Sequence, residues 1–268
     1  MNLAGRTAVV TGAGSGIGRA IAVSLAARRC HLALADIDEE GLQGTHQLLE
    51  GRGVEVSLHR LDVADQNAVA AFPDVVAQRH DKVELLFNNA GVAVGGSFEE
   101  VGESDFQWLF NINFWGVVRM TRAFLPVLRQ SDEARIVNIS SLFGLISPPG
   151  QTAYCASKFA VRGFSNALRF ELEGSTVSLT VVHPGGVATS IAKNSRKPEG
   201  RSAAEVAAAI ARIERMLRMP PEEAGEIIVR GVAKGKARIL VGADARICSL
   251  LERLMPVSYW RLLNRAVR

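Results

Sequence analysis

Tyr154 and Lys158 stand four residues apart in the run Tyr154-Cys155-Ala156-Ser157-Lys158. Residues at that spacing share one face of a helix, so the Lys158 ammonium can lie beside the phenol oxygen. A phenol ionises only near pH ~10 when left alone, and a neighbouring cation favours the ionised form. The pair is therefore a candidate proton donor and acceptor near neutral pH. Ser141, thirteen residues before Tyr154, adds a hydroxyl that can donate to a substrate oxygen gaining negative charge. In isolation the pair reads first as a half-buried tyrosine next to a solvated lysine. The other motifs in the chain decide between these readings.

A nucleotide site is written at the N-terminus. Thr11-Gly12-Ala13-Gly14-Ser15-Gly16-Ile17-Gly18 follows an apolar run and opens a helical pattern. Glycines at such a turn permit positive φ and let the backbone approach a pyrophosphate, whose charge the helix N-terminus stabilises. Asp36 ends the next apolar run, 24 residues beyond Gly12, near the spacing of a ribose-binding carboxylate. It can accept hydrogen bonds from ribose hydroxyls and would repel a 2′-phosphate. No basic residue occupies Ser15 or Ile37, so the expected cofactor is NAD rather than NADP. A solvated acid, or a cap for the helix starting near Glu39, is the alternative for Asp36.

The elements that must carry these groups alternate along the chain. Thr7–Thr11, His31–Ala35, Val54–Leu61, Val83–Asn88, Arg135–Ser140, Val177–His183 and Ala237–Val241 read as strands, apolar enough to be buried on both faces. Ile17–Arg28, Glu39–Gly51, Asp65–Arg79, Ser104–Arg129 and Thr152–Glu173 carry helical periodicity behind polar starts. Alternation of this kind implies an α/β domain, a doubly wound parallel sheet of about seven strands with helices on both faces. Ligands of such sheets bind at the carboxyl ends of the strands, where the motifs fall. The pattern loosens between Ser190 and Pro221 into either a surface loop or a substrate lid, and the position after a strand end favours the lid.

Composition sets the outer limits. At 268 residues, 48% hydrophobic and 22% charged, the chain can bury a substantial core and is far from a disordered one. A single domain over residues 1–242 with a basic amphipathic tail over 243–268 is the expected organisation. No apolar run approaches the ~18 residues of a membrane span, and no secretory leader is recognisable. Cys30, Cys155 and Cys248 lack any Cys-x-x-Cys spacing and read as reduced thiols of a cytoplasmic protein, and the five histidines show no metal-ligand spacing. The net charge of +4 does not point to nucleic acid, and the body lacks stacking aromatics on a basic face.

Asn88-Asn89-Ala90-Gly91, Asn113 and Pro184-Gly185 complete an ordered series with the glycine turn, Ser141, Tyr154 and Lys158. In this the chain resembles the single-domain short-chain dehydrogenase/reductase family, from Asn2 to about Gly242. The resemblance implies a Rossmann-like fold and hydride transfer between NAD(H) and a secondary alcohol or its ketone. It implies that Gly12, Ser15, Gly16, Ile17 and Gly18 line the pyrophosphate turn, Asp36 the adenosine ribose, and Asp62 with Val63 the adenine. Asn89, Ala90 and Gly91 would lie beside the cofactor, although Asn89 could also simply tie strands together. Pro184, Gly185, Val187 and Thr189 would receive the nicotinamide carboxamide. Tyr154 would be the acid/base, with Lys158 lowering its pKa and holding the nicotinamide ribose, Ser141 orienting the substrate oxygen, and Asn113 holding a water that links Lys158 to solvent. A homodimer or homotetramer through the helices of Ser104–Arg129 and Thr152–Glu173 is also implied. A nucleotide sensor without turnover would need only the glycine turn and Asp36, so the intact catalytic set argues for an enzyme.

Two further expectations concern substrate and tail. Phe143, Leu145, Ile146 and Pro148-Pro149 lie between Ser141 and Tyr154, and Val92, Ala93 and Val94 follow the Asn-Asn-Ala-Gly segment, suggesting an apolar pocket for a steroid-, retinoid- or long-chain-alcohol-like substrate. In the tail, Ile247, Leu250, Leu251 and Leu254 recur at helical spacing before Pro256, and Tyr259, Leu262, Leu263 and Ala266 after it. Five arginines there (246, 253, 261, 265 and 268) face Asp244 and Glu252 alone. The tail either covers the protein's own surface or makes a peripheral contact with anionic lipid, with Tyr259 and Trp260 at the interface.

Overall fold

Runs such as Ala8-Val9-Val10 and Leu85-Leu86-Phe87 are fully buried because helices cover both of their faces. In a computed structural model, which describes residues 1–198 and 200–267, with side chains up to residue 264, they are β1 (Thr7–Thr11) and β4 (Leu85–Asn88). The remaining strands are β2 (His31–Asp36), β3 (Val56–Arg60), β5 (Ala134–Ile139), β6 (Val177–Pro184) and β7 (Arg238–Val241). Among the described residues they form one seven-stranded sheet in the order β3-β2-β1-β4-β5-β6-β7, with every pairing parallel. Strand order reverses between β1 and β4, which places a ligand crevice outside their carboxyl ends.

Helices α1 (Gly16–Ala26), α2 (Glu39–Gln47) and α8 (Pro221–Ala233) cover one face of the sheet, and α3 (Gln66–Ala77), α5 (Gly116–Leu128) and α6 (Thr152–Glu171) the other. The α1–α8 contact is close because Gly225 has no side chain: a Cβ there would sit 2.6 Å from the Ala20 backbone. Asp38 and Asp65 start α2 and α3 as N-caps, accepting from N–H groups of the first turn.

The periodicity of Ser104–Arg129 suggests one long helix, and here the structure differs. It forms α4 (Glu103–Phe110) and α5, joined by a π-helical turn at Asn111–Trp115. A long-range tie accompanies the interruption. Asn113 accepts from Val92 N–H at 2.8 Å and donates to Val92 O at 3.0 Å and Ser157 Oγ at 3.2 Å. Beyond the turn, Gly116 admits the Val63 side chain, 2.9 Å from where a Cβ would stand.

After β6 come α7 (Ala203–Glu214) and α8, and after β7 the helices α9 (Ala243–Leu254) and α10 (Tyr259–Val267). α7 opens with a capping box between Ser202 and Glu205 and buries none of its side chains. No helix among the described residues is long and apolar enough to cross a membrane.

Candidate active site

Ser141 leaves β5 as the N-cap of a short 3-10 turn, Leu142–Gly144, and its Oγ accepts from Phe143 N–H at 3.1 Å. Its hydroxyl proton is left to point at another oxygen. Tyr154 lies in the first turn of α6 and Lys158 one turn later on the same face; they are 9% and 4% exposed. The Lys158 ammonium lies 5.7 Å from the centre of the Tyr154 ring and donates to Ile139 O at 3.2 Å. Gly91 makes this convergence possible, since a Cβ there would stand 3.1 Å from Asn113 Oδ1 and 3.4 Å from Lys158 Nζ. Ser141, Tyr154, Lys158, Asn113 and Gly91 are thus brought together where β4, β5 and α6 meet.

Electrostatics corrects one expectation. Burial pushes the Tyr154 phenol up to about 12, while the neighbouring Ser141 hydroxyl acts in the opposite direction. Burial also pushes Lys158 down to about 8. The protein's own groups therefore do not give Tyr154 the lowered pKa read from its spacing to Lys158. Burial is the largest cause of the rise at Tyr154, and Ser141 is the group that opposes it. The Asn113 side chain is also fully engaged by Val92 and Ser157.

The glycine turn has the shape its sequence requires. Gly12 and Gly16 adopt φ of +65° and +51°, a region costly for other residues. A Cβ on Gly12 would lie 2.8 Å from the Ala90 backbone, and one on Gly18 would collide with Gly12 O. Ser15 is the N-cap of α1, exposed, with no cap bond from its side chain, and Ile17 follows in the first turn. At the end of β2, Asp36 accepts from Gly14 N–H at 2.8 Å and Asp38 N–H at 3.1 Å. Arg19 is the nearby cation, and its guanidinium donates to Gly14 O, Gly41 O and Thr45 Oγ1. Asp62 is exposed and turns its carboxylate onto Ala64 N–H, while the Val63 side chain is in the core.

Thr189 reaches the same turn from the far side, with its Cγ2 3.0 Å from the Cβ position of Gly16. Ser15, Gly16 and Thr189 form one edge of a cleft of about 920 Å³ that otherwise runs along the outer side of α1 past Glu214, Glu222 and Glu226 and does not reach Asp36, Ser141 or Tyr154. The glycine turn at the N-terminus of α1 is itself suited to a pyrophosphate. Pro184 ends β6, and Gly185 and Val187 follow it, with Val187 N–H turned back onto Gly185 O at 3.0 Å. Asn89 ties β4 to the glycine turn, its amide donating to Thr11 O and Gly12 O at 3.0 and 3.1 Å.

Some contributors carried no motif. Thr11 Oγ1 accepts from the N–H groups of Asn89 and Ala90 at 3.0 and 3.1 Å, fixing the segment beside the cofactor cleft. His183, fully buried, is 3.0 Å from Ser141 O through Nδ1, which must carry the proton because a carbonyl only accepts. Its Nε2 has no hydrogen-bond partner among the described residues. Burial pushes His183 down to about 4. The unfolded chain takes up a proton below about 6.5 and the folded protein does not, so stability present above 6.5 is lost as pH falls towards 4. The expected loss from this residue is about 3 kcal/mol. Urea unfolding at pH 7 and pH 4.5 should show a smaller pH difference for His183→Asn than for wild type; equal differences would remove this contribution.

The pocket wall is built from several segments. Val92, Ala93, Val94, Phe106, Trp108 and Ile191 cluster with Tyr154, and Phe143 meets the Tyr154 ring edge-on at 6.1 Å. The segment after Ser190 is strapped onto this wall. Arg196 stacks on Trp108 at 3.6 Å, pairs with Asp105 at 2.8 Å, and exchanges backbone bonds with Ala93 and Gly95. Arg201 forms a two-pronged pair with Glu100 at 2.8 Å. The C-terminal helices complete the wall: Tyr259 is 9% exposed, accepts from Ser147 N–H at 2.7 Å, and packs with Ile146 and Cys248. The single apolar stripe expected of α9 is split. Leu251 turns inward to that cluster, whereas Ile247, Leu250 and Leu254 are 57–69% exposed. Of the tail arginines, Arg265 and Arg268 lie outside the described side chains, as does Ala266.

The combination of a doubly wound sheet, a glycine turn and a buried Ser-Tyr-Lys group agrees with the comparisons to known proteins. Residues 6–200 match the family model described as short chain dehydrogenase. SadH of Mycobacterium tuberculosis is 46% identical, over 98% of this chain and 95% of its own length. A short-chain dehydrogenase/reductase from Burkholderia phymatum, solved in complex with NAD, superposes with a TM-score of 0.88 at 34% identity, covering 94% of each chain. An alcohol dehydrogenase from Thermococcus sibiricus, solved with 5-hydroxy-NADP, gives 0.74 at 28% identity, over 88% of this chain and 95% of its own. The chain belongs to the short-chain dehydrogenase/reductase family. It is an oxidoreductase of that family, and its cofactor is a nicotinamide dinucleotide.

Proposed function

We propose that the protein transfers hydride between NAD(H) and a lipophilic secondary alcohol or its ketone. The observation that carries this reading is the convergence of Ser141, Tyr154 and Lys158 at the strand ends, beside an apolar wall and a glycine turn. The nicotinamide, when bound, accepts or delivers the hydride. The protein supplies position and proton movement. Ser141 donates its free O–H to the substrate oxygen, and Tyr154 takes the alcohol proton or returns it to the ketone. Lys158, cationic and buried, attracts the developing phenolate and presents N–H donors to the nicotinamide ribose. Asn113 contributes through its main chain, holding a water behind Lys158. A sensor without turnover would have no use for this buried proton-transfer set.

Support for a lipophilic substrate is the composition of the wall around Tyr154. The strapped segment of residues 190–221 acts as the lid over it. Dimer or tetramer formation is assigned to α4–α5 and α6, which leave Trp115 and Phe170 49% and 66% exposed. The inner face of α9 and α10 serves the pocket, so peripheral contact with anionic lipid is restricted to the outward stripe of α9 and its arginines.

The choice of NAD over NADP rests on Asp36. Its carboxylate closes β2 beside Gly14, and Arg19 is already engaged by two carbonyls and a hydroxyl. A 2′-phosphate would meet the Asp36 carboxylate directly, while Arg60, opposite Asp36 in the sheet, is paired with Glu39. Titration by nicotinamide fluorescence should show NADH binding at least about tenfold more tightly than NADPH, about 1.4 kcal/mol. Asp36→Ala should narrow that gap by removing the repulsion and a charge-assisted hydrogen bond together. Tighter binding of NADPH to the wild-type protein would overturn the assignment.

A further inference from the structure

Three parts of the chain meet at Gly186. Its N–H donates to Asp244 Oδ2 at 2.7 Å, and its carbonyl accepts from the N–H groups of Arg218 and Met219, each at 3.0 Å. Arg218 and Met219 close the lid segment, and Ala188 N–H returns a bond to Met219 O at 2.8 Å. Asp244 belongs to the first turn of α9, where its other carboxylate oxygen accepts from Ala245 N–H at 2.8 Å. The positive end of the helix favours its charge there. Space for the carboxylate exists only because positions 185 and 242 are glycines: a Cβ on either would collide with Asp244 Oδ1. Gly242 also adopts φ of +100°.

Gly185-Gly186 is the softest dipeptide in the Pro184–Thr189 segment, because neither residue has a Cβ to restrict its dihedrals. Left free, the peptide between them would have to be ordered whenever a ligand bound, at the expense of affinity. An ionised acceptor on the Gly186 N–H removes that freedom in advance, through a bond stronger than a neutral one. We propose that Asp244 is a positioning residue for the cofactor, fixing the Gly185-Gly186 peptide so that the Val187–Thr189 backbone is preset to receive the nicotinamide. This rests on the reading of Pro184–Thr189 as the nicotinamide turn. It makes α9, which reads in the sequence as the start of a tail, part of the cofactor site, and it couples the end of the lid to the same peptide.

The test uses the full-length protein with Asp244→Ala and Asp244→Asn. NADH is compared with ADP-ribose, which lacks the nicotinamide, by fluorescence and calorimetric titration, with thermal unfolding alongside. Asp244→Ala should weaken NADH roughly tenfold and leave ADP-ribose within about twofold, because only the nicotinamide end is affected. Its unfolding temperature should change little, since Asp244 is exposed. Asp244→Asn keeps an acceptor oxygen and should stay within about threefold of wild type for NADH. Unchanged NADH affinity in Asp244→Ala, parallel loss of both ligands, or equal losses in the two variants would overturn the proposal. Wild-type protein that bound ADP-ribose as tightly as NADH would instead overturn the underlying reading of Pro184–Thr189, whatever the variants did.

Discussion

Replacing Tyr154 with Phe should lower turnover by about a hundredfold or more while NADH still binds with near wild-type affinity. The substitution removes one oxygen and keeps the ring that packs edge-on against Phe143, so the wall and the cofactor cleft are left in place. The missing oxygen is the only group at the junction of β5 and α6 that the account asks to move a proton, and general acid/base chemistry supplies about 10²–10⁴ in rate. Because the lost interaction belongs to the transition state, kcat and kcat/KM should fall together with little change in KM. A matched fall in NADH affinity would instead mark Tyr154 as a binding group.

Lys158→Met should separate activity from stability. The ammonium is 4% exposed, has a carbonyl oxygen as its hydrogen-bond acceptor, and is pushed down to about 8 by burial. An ordinary lysine titrates near 10.4, so the unfolded chain holds its proton more tightly than the folded one between those values. Folding is therefore unpenalised above about 10.4, increasingly penalised as pH falls towards 8, and fully penalised below it. At pH 7 the charge costs about 3 kcal/mol, and a methionine of similar length relieves it while filling the space. The variant should lose turnover by about a hundredfold or more, bind NADH less well, and unfold at a higher temperature than wild type. Paired thermal melts at pH 7 and pH 10 check the sign: the advantage of the variant should shrink at pH 10. A variant less stable than wild type at pH 7 would show that Lys158 is a structural residue.

The sheet and the nucleotide turn were legible because their signals are local. Continuous apolar runs specify strands buried on both faces, and Gly12 and Gly16 announce positive φ in the sequence itself. The catalytic group was legible because Tyr154 and Lys158 lie on one helix, where spacing fixes the face. Features that depend on distant contacts were not. The π-helical turn in the run after Ser104 is accompanied by Val92 and Ser157 reaching Asn113 across long stretches of chain, and Gly116 at its end is a signal that does not by itself specify a π turn. α8 carries a start signal, Pro221 with Glu222 and Glu223, yet its packing on α1 depends on a contact distant in the sequence. The apolar residues of α9 share one helical stripe on paper, but contact with Ile146 and Tyr259 turns only part of it inward. The environment of the Tyr154 phenol is hidden for a related reason: spacing reveals the nearby ammonium, whereas desolvation depends on everything that packs around the phenol.

Coupling of nicotinamide redox chemistry to proton transfer at Tyr154 is open to direct measurement. The most direct measurement follows the nicotinamide absorbance band with NAD and a panel of lipophilic secondary alcohols, and with NADH and the matching ketones, for the wild-type protein and Tyr154→Phe in parallel. Wild-type protein should reduce NAD with at least one alcohol and oxidise NADH with its ketone, and the variant should do neither at a comparable rate while still binding NADH. Equal rates from the two proteins would contradict the account.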